Sequence, residues 1–257
     1  MSSSAFSVAE RVALVTGGGT GLGARFAAVL AQNGAKVAVI GRRIDPLQEV
    51  AQGIEGSGGR ALALSVDLAD RAAVEIAFDR IEEQIGVVDI LVNSAGIQAM
   101  APVTEMTDEQ FTSVLDINVN GLFRAAQICA QRLLRAGKPG SIINIASILG
   151  AIARPGSANY CASKAAVIHM TRSIALDLIK DGIRVNCLAP GYIETDLTRW
   201  WLETPEGQAA QERLPIGRFG TLEELDGPLL FLASDASRYV SGTTLTVDAA
   251  HSARIME

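Results

Sequence analysis

The chain has 257 residues, of which 49% are hydrophobic and 19% charged, and its formal net charge is −6. This length suits one large α/β domain, and the acidic balance argues against a general nucleic-acid binder. No apolar run approaches the roughly 18 residues that a membrane helix needs, so we expect no membrane partner.

The N-terminal residues and the cysteines indicate the cellular location of the protein and whether it has a metal site. Residues 1–10 have neither the basic start nor the apolar core of a signal peptide and are predicted to be a short flexible lead-in. Cys129, Cys161 and Cys187 lie far apart without a C-x-x-C pair, which predicts buried free thiols rather than a zinc site or a disulfide framework. We therefore expect no metal site and a reducing, cytoplasmic location.

Short apolar runs alternate with helical patterns along the rest of the chain. Most runs are nearly continuous in apolar residues, as expected for strands that helices cover on both faces. The alternation predicts a single-domain α/β fold over 11–257, a Rossmann-like, doubly wound parallel sheet of about seven strands flanked by helices. The predicted strands are 11–16, 36–40, 61–66, 88–93, 141–146, 182–189 and 244–248, and the predicted helices are 21–32, 45–55, 70–85, 108–136, 157–180 and 222–234.

Glycines follow the first predicted strand and open the first predicted helix, in the stretch TGGGTGLG. Gly19-x-Gly21-x-x-Ala24 matches the general dinucleotide fingerprint, and Gly17-x-x-x-Gly21-x-Gly23 is a more particular spacing. Glycines here permit a tight turn and close approach to a pyrophosphate, and the helix N-terminus supplies N–H groups and partial positive charge. The alternative is a glycine-rich turn that binds no ligand.

The second predicted strand ends in Gly41-Arg42-Arg43. A protein that binds NAD usually has an acidic residue there to hold the ribose 2′-OH. Guanidinium groups instead match a 2′-phosphate, and no carboxylate is present to repel it. The strand end therefore favours NADP(H), with NAD(H) as the alternative if both arginines are merely solvated.

Tyr160 and Lys164 stand at i and i+4 in a helical segment and should share a face. A free tyrosine has a pKa near 10, and a nearby ammonium is expected to lower it. Such a pair can exchange a proton with an alcohol or a carbonyl. The same spacing also occurs often by chance, so its meaning depends on the surrounding motifs.

The segment 190–220 departs from the alternation because it is rich in proline, glycine and tryptophan. Leu197, Trp200, Trp201 and Leu202 have the spacing of a short amphipathic helix. This helix, within a segment of about 191–220, is either a lid over the substrate or a helix packed on the body or on another subunit.

Several motifs occur in the order of one known family. They are TGGGTGLG, NSAG at 93–96, Asn118 in DINVNG, Ser147 in NIASILG, YCASK and APGYIET. Ser147 and Tyr160 also have the usual separation. Over nearly its whole length the chain resembles the classical short-chain dehydrogenase/reductase family, and the ordered set is far more specific than any one motif.

The resemblance implies a catalytic set. Tyr160 would be the acid/base, and Lys164 would lower its pKa and hold the nicotinamide ribose. Ser147 would hydrogen-bond the substrate oxygen and stabilise developing charge. Asn118 would anchor a water that links Lys164 to solvent, unless it is only a polar residue that kinks its helix.

The resemblance also implies cofactor and substrate positions. Asp67 and Leu68 would contact the adenine, and the positions after the fourth and sixth strands would line the nicotinamide half. The full cofactor set is Gly17, Gly19, Thr20, Gly21, Leu22, Gly23, Arg42, Arg43, Asp67, Leu68, Asn93, Ala95, Gly96, Tyr160, Lys164, Pro190, Gly191, Ile193 and Thr195. The candidate substrate walls are Ile97, Met100, Leu149, Arg154, Trp200 and Trp201, with Arg154 either facing an anionic substrate or acting as a surface charge.

These residues predict an NADP(H)-dependent oxidoreductase that moves a hydride between the nicotinamide and a ketone/secondary-alcohol pair. The alternatives are an NAD-dependent alcohol dehydrogenase, a reductase of carrier-bound 3-oxoacyl groups and a non-enzymatic NADP sensor, although sensors of this family typically lose the Tyr or Lys. The expected partners are a small-molecule substrate and further copies of the chain, as a dimer or tetramer.

The C-terminal end departs from the family pattern. Many members of the family read VDGG where this chain reads VDAA before His251. The details of a C-terminal subunit interface, including any role of His251, therefore stay open.

Overall fold

The computed structural model describes residues 5–195, 199 and 201–253. Within them, all strands pair in parallel in one seven-stranded sheet of order β3-β2-β1-β4-β5-β6-β7. The predicted fold class, a single α/β domain built on a parallel sheet, is confirmed. The strands are β1 Val12–Thr16, β2 Lys36–Gly41, β3 Arg60–Ser65, β4 Ile90–Asn93, β5 Gly140–Ile145, β6 Ile183–Pro190 and β7 Thr244–Val247.

The helices follow the predicted periodic segments, with one correction. The predicted helix 108–136 is two helices separated by a π-helical turn, Asp116–Gly121, that contains buried Asn118. The segment 190–220 also contains a described helix outside the predicted one. The helices are α1 Gly21–Gln32, α2 Ile44–Gly56, α3 Arg71–Gln84, α4 Asp108–Leu115, α5 Leu122–Ala136, α6 Ala158–Leu178, α7 Pro205–Glu212 and α8 Asp226–Ala233.

Two apolar layers cover the sheet. Side chains of β1 alternate between them, so that Leu14 joins the layer under α3 and α5, and Val15 joins the layer under α1 and α8. Phe78 and Phe26, one in each layer, are fully buried. This two-sided burial is the reason why the strands read as continuous apolar runs.

The carboxyl ends of the strands bring the predicted site residues together. β1 pairs with β2 on one side and with β4 on the other, so strand order reverses at β1. In open α/β sheets, ligands bind outside the carboxyl ends of the strands at such a reversal. Thr16, Gly41, Asn93, Ile145 and Pro190 end their strands at this edge.

The cysteines correct one expectation. Cys129 and Cys187 are buried free thiols, but Cys161 is only partly buried. Burial raises the pKa of the Cys187 thiol to about 11 and raises that of Cys129 further. Cys161 differs because it follows Tyr160 at the start of α6, beside a cleft.

The described part of the N-terminal lead-in contacts the domain. Val8 is fully buried, and the Glu10 N–H donates to the Gly34 carbonyl at 3.0 Å. Over the described residues, no helix has both the length and the apolar character needed to cross a membrane.

Candidate active site

A cleft of about 940 Å³ opens at the carboxyl edge of the sheet. It gathers residues that are distant in sequence, from the glycine turn after β1 to the segment after β6. The predicted site residues that line it are Gly17, Gly19, Thr20, Leu22, Gly23, Arg42, Arg43, Asp67, Leu68, Ala95, Gly96, Ile97, Ser147, Leu149, Arg154, Tyr160, Lys164, Pro190, Gly191 and Ile193.

Other predicted cofactor and catalytic residues do not line the cleft. Asn93 and Asn118 are almost fully buried behind it. Gly21 begins α1 with a φ of 53°, a conformation that favours glycine, and its contact with a cofactor stays a prediction. Thr195 is also absent from the lining.

The proposed substrate walls divide in a similar way. Met100 is 60% exposed and reaches the protein surface rather than the cleft. The Trp201 ring lies 6.3 Å from the ring of Phe219, which itself lines the cleft, so Trp201 stands one layer behind the wall. Trp200 and Leu197 lie outside the described residues.

The glycine turn is required by close backbone contacts. Gly17 has a φ of 66°, and a Cβ on it would lie 2.8 Å from the Ala95 Cα. A Cβ on Gly23 would lie 2.2 Å from the Gly17 carbonyl oxygen. Thr20 precedes α1 without a side-chain cap, and the first turn holds no acidic residue. Uncapped N–H groups at this helix start are suited to bind an anion.

Two arginines follow β2 at one end of the cleft. Arg42 and Arg43 are exposed and line it. Neither guanidinium makes a hydrogen bond or ion pair with another described residue. The Ser65 hydroxyl donates to the Arg42 carbonyl at 3.0 Å and holds the backbone at this point. Both cationic groups are therefore available to a ligand.

The charge of the cleft is predominantly positive. Among its described lining residues, Asp67 carries the sole carboxylate, against the cations Arg42, Arg43, Arg154 and Lys164. The Asp67 carboxylate accepts from the Ala69 N–H at 2.9 Å. Across the described part of the chain, no group of three or more His, Cys, Asp or Glu side chains could hold a metal ion. The electrostatics favour an anionic ligand.

Ser147, Tyr160 and Lys164 meet in this cleft from two elements. Ser147 follows β5 and caps a short 3₁₀ turn, with its hydroxyl accepting from the Leu149 N–H at 3.2 Å. Tyr160 and Lys164 share a face of α6, and the Lys164 Nζ lies 5.5 Å from the Tyr160 ring centroid. The three predicted catalytic side chains therefore lie together in one cleft.

The environment of Tyr160 corrects the expected direction of its pKa. Burial raises the pKa of the phenol above its usual value, and a hydrogen bond with Ser147 and the charge of Arg154 offset part of this rise. The Lys164 ammonium, 5.5 Å from the ring centroid, donates to the Ile145 carbonyl at 2.7 Å. The net pKa of Tyr160 is therefore raised in this structure, whereas the spacing predicted a net lowering.

Lys164 itself is a buried cation without a carboxylate partner among the described residues. Its residue is 4% exposed, and burial lowers the pKa of its ammonium to about 8. The ammonium keeps its proton at neutral pH but holds it much less tightly than a surface lysine. Such a group is suited to proton exchange near neutral pH.

Asn118 positions the loop after β4. Its Oδ1 accepts from the Ile97 N–H at 2.8 Å, and its Nδ2 donates to the Ile97 carbonyl and to the Ser163 hydroxyl, both at 3.0 Å. The side chain thus ties a cleft-lining residue to α6. A Cβ on Gly96 would lie 3.3 Å from the Asn118 Oδ1 and 3.7 Å from the Lys164 Nζ, so Asn118 also stands near the lysine. The water relay stays a prediction.

Sequence reasoning missed the aromatic wall of the cleft. Tyr192 and Phe219 line it with ring centroids 5.2 Å apart, and His251 stands edge-on to Tyr192 at 5.4 Å. Tyr192 lies inside the quoted APGYIET motif, which was a usable signal, whereas Phe219 follows an irregular stretch. The other lining residues that were missed are Gly41, Pro46, Leu47, Val66, Ser94, Gln98, Ile117, Ile145, Ala146 and Ile148.

Comparisons with known proteins agree with this geometry. The family model described as "Enoyl-(Acyl carrier protein) reductase" matches residues 17–250. The chain is 38% identical to gluconate 5-dehydrogenase of Gluconobacter oxydans over 244 residues, which cover 95% of each chain.

Two solved structures are also similar over nearly the full length. One, a gluconate 5-dehydrogenase from Burkholderia cenocepacia in complex with NADP and tartrate, has a TM-score of 0.92 and 37% identity, with 98% of each chain covered. The other, a short-chain type dehydrogenase/reductase from Mycobacterium marinum, has a TM-score of 0.89 and 38% identity, covering 96% of this chain and 97% of that one. The chain therefore belongs to the classical short-chain dehydrogenase/reductase family of oxidoreductases, enzymes that act on alcohols and ketones.

Proposed function

We propose that this enzyme transfers a hydride between NADP(H) and a ketone/secondary-alcohol pair, with Tyr160 as the proton donor and acceptor. The observation that carries the proposal is the convergence of Ser147, Tyr160 and Lys164 in one cleft with the glycine turn. A non-enzymatic NADP sensor would have no need of this set, whereas a reductase needs all three groups.

The residues of the cleft fit a dinucleotide with a 2′-phosphate. The close contacts at Gly17 and Gly23 require glycine and form the tight turn that leads into α1. A pyrophosphate would bind the uncapped N–H groups at the start of this helix. Arg42 and Arg43 supply unpaired guanidinium groups where an NAD-binding protein would carry an acid. The relative from Burkholderia cenocepacia was solved with NADP. NAD(H) remains the alternative cofactor.

The chain's own residues would handle the proton. When bound, the nicotinamide supplies or accepts the hydride at the substrate carbon. The raised pKa of Tyr160 keeps the phenol protonated at neutral pH, so in reduction it can donate to the carbonyl oxygen as that oxygen gains charge. The Ser147 hydroxyl donates a hydrogen bond to the same oxygen. In oxidation the proton moves in the opposite direction.

Lys164 and Asn118 would complete the set. The Lys164 ammonium would hold the nicotinamide ribose and stabilise the tyrosinate left after proton donation. Its pKa of about 8 allows it to pass a proton toward Tyr160 near neutral pH. Asn118 would position Ile97 and anchor the water that connects Lys164 with solvent.

The substrate end of the cleft would favour bulky, apolar or cyclic ketones. Ile97 and Leu149 provide aliphatic walls, and Tyr192 and Phe219 provide aromatic ones. The segment of about 191–220 would act as a lid that excludes water, with Trp201 supporting Phe219 from behind.

Self-association is also proposed. Several large apolar side chains are exposed on α4 to α6 and just beyond, among them Phe111, Phe123, Leu176 and Ile179. A dimer or tetramer would cover them. Light scattering after size-exclusion chromatography measures the oligomeric state directly, and a monomer at micromolar concentration would contradict the proposal.

We also propose a cytoplasmic location, in which the cysteines remain free thiols.

The proposed chemistry is tested with a panel of ketones and secondary alcohols, each offered with NADPH/NADP⁺ and NADH/NAD⁺. We expect turnover of at least one ketone, preferentially with NADPH. Ser147→Ala should lower kcat by about 10²–10³ because one hydrogen bond to the substrate oxygen is lost. A 3-oxoacyl thioester in the panel tests the carrier-reductase alternative. Tight NADPH binding with no turnover of any compound would favour the sensor instead.

A further inference from the structure

Arg154 is held in a fixed orientation by a buried serine. Its Nε and Nη2 donate to the Ser157 hydroxyl at 3.1 and 3.0 Å, and Ser157 is fully buried at the start of α6. Nη2 also lies 3.8 Å from the Met100 sulfur. These contacts use N–H groups of Nε and Nη2.

The Nη1 group of the same guanidinium remains available. Nη1 has no acceptor among the described residues, and no described carboxylate lies within ion-pair distance of Arg154. One carboxylate oxygen can accept from Nη1, and the second can replace the Met100 sulfur, a weak acceptor, at Nη2. A guanidinium that is anchored through Nε and Nη2 and has no partner at Nη1 is pre-organised to bind such a group.

Arg154 lies at the substrate end of the cleft. It lines the cleft together with Tyr160, and its charge lowers the pKa of that phenol, so the two groups are within electrostatic reach. Asp67, the sole acidic residue among the described lining residues, follows β3. Three strands, β2, β1 and β4, separate β3 from β5, the strand that leads to Ser147. The reaction end of the cleft therefore carries positive charge without a neighbouring carboxylate in its described lining.

We propose that Arg154 binds a carboxylate of the substrate, so that the enzyme acts on hydroxy- and oxo-carboxylates. This inference rests on the proposed oxidoreductase function and adds the substrate class to it. Arg154 is the specificity-determining residue, while Tyr160 carries the proton. The aromatic and aliphatic walls then hold the carbon skeleton between the carboxylate and the reacting carbonyl.

The test compares matched ketones that differ only in charge. The pairs are 4-oxocyclohexanecarboxylate, 4-oxopentanoate and 3-oxobutanoate, each beside its primary amide, with NADPH as the reductant. In the unmodified enzyme, the best carboxylate should exceed its amide in kcat/KM by about 10- to 100-fold, as a charge-assisted hydrogen-bond pair would provide. The ratio within one variant cancels damage that affects both substrates alike.

Two variants and one control isolate the guanidinium. Arg154→Met should reduce the carboxylate-to-amide ratio to near 1, and Arg154→Lys should retain part of it because the charge remains. Arg135→Met removes a charge from the exposed surface of α5 and should leave the ratio unchanged. Unreactive cyclohexanecarboxylate, titrated calorimetrically into the enzyme with NADPH, should bind more tightly than cyclohexanecarboxamide, and this difference should be lost in Arg154→Met.

The outcomes separate the two proposals. If ketones are reduced but no carboxylate exceeds its amide, or if Arg154→Met keeps the ratio, the carboxylate assignment is overturned while the oxidoreductase function stands. If no ketone is reduced, the proposed function fails, and the calorimetric comparison still decides whether Arg154 binds a carboxylate.

Discussion

Lys164→Met is predicted to make the cofactor-free protein more stable at neutral pH. Burial lowers the pKa of Lys164 from 10.5 to about 8 in the folded chain. At 1.36 kcal/mol per pKa unit, keeping this ammonium charged in the fold costs about 3 kcal/mol at pH 7. The variant forfeits about 1–2 kcal/mol of this gain, because methionine leaves the Ile145 carbonyl without its hydrogen bond. Methionine fills a similar volume without the charge, so we expect a net stabilisation of about 1–2 kcal/mol.

The stability difference between Lys164→Met and the unmodified protein should also depend on pH. Between pH 8 and 10.5 the unfolded lysine is still protonated while the folded one is not, so the stability of the unmodified protein rises with pH in this window. The advantage of Lys164→Met should therefore shrink by about 2.5 kcal/mol between pH 7 and pH 10 and end near zero or reversed.

Urea unfolding at pH 7, 8, 9 and 10, at one protein concentration and without cofactor, measures this difference. Lys180→Met is the matched control for the loss of a lysine, since Lys180 is exposed and its removal relieves no burial. A Lys164→Met variant that is less stable than the unmodified protein at pH 7, or whose difference is flat from pH 7 to 10, would refute the argument from burial.

Three further outcomes are expected from the structure. Arg42→Ala should weaken NADPH binding by about 10- to 100-fold and NADH binding much less, because one guanidinium partner of the 2′-phosphate is lost; equal losses in fluorescence titrations would contradict the assignment. Ala249 and Ala250 have φ values of 49° and 66°, so replacing either with Gly should stabilise the fold by roughly 0.5–1 kcal/mol, seen as a Tm increase of about 1–4 °C. An unchanged or lower Tm would show that the positive φ values do not strain the backbone at these two residues. Trp201→Ala should reduce kcat/KM for a large ketone more than for a small one, since its ring supports Phe219; a uniform loss that follows Tm would indicate packing alone.

The sheet could be predicted because burial on both faces leaves a direct trace in sequence. β1 is wholly apolar except for its terminal Thr16, and its neighbours follow the same rule. The two strand-end motifs, TGGGTGLG and Gly41-Arg42-Arg43, reach one edge because all the strands run in parallel. Motifs tied to strand ends were therefore located correctly from sequence alone.

The features that sequence reasoning missed depend on the path of the chain between elements. Residues 108–136 keep one helical pattern although a π turn interrupts them at Asn118, because a single wide turn barely alters apolar spacing. Phe219 reaches the cleft through an irregular segment with no periodicity. The pKa of Tyr160 was predicted with the wrong sign, since spacing alone did not reveal that burial of the phenol outweighs the charges around it.

The central claim is that Tyr160 transfers the proton, and Tyr160→Phe tests it most directly. The ring packing is retained and the ionisable hydroxyl is lost. With a ketone that the unmodified enzyme reduces, kcat measured from NADPH absorbance should fall by at least about 10²–10⁴, while the Kd for NADPH stays within a few-fold. A folded variant that binds NADPH and retains near-normal kcat would contradict the account.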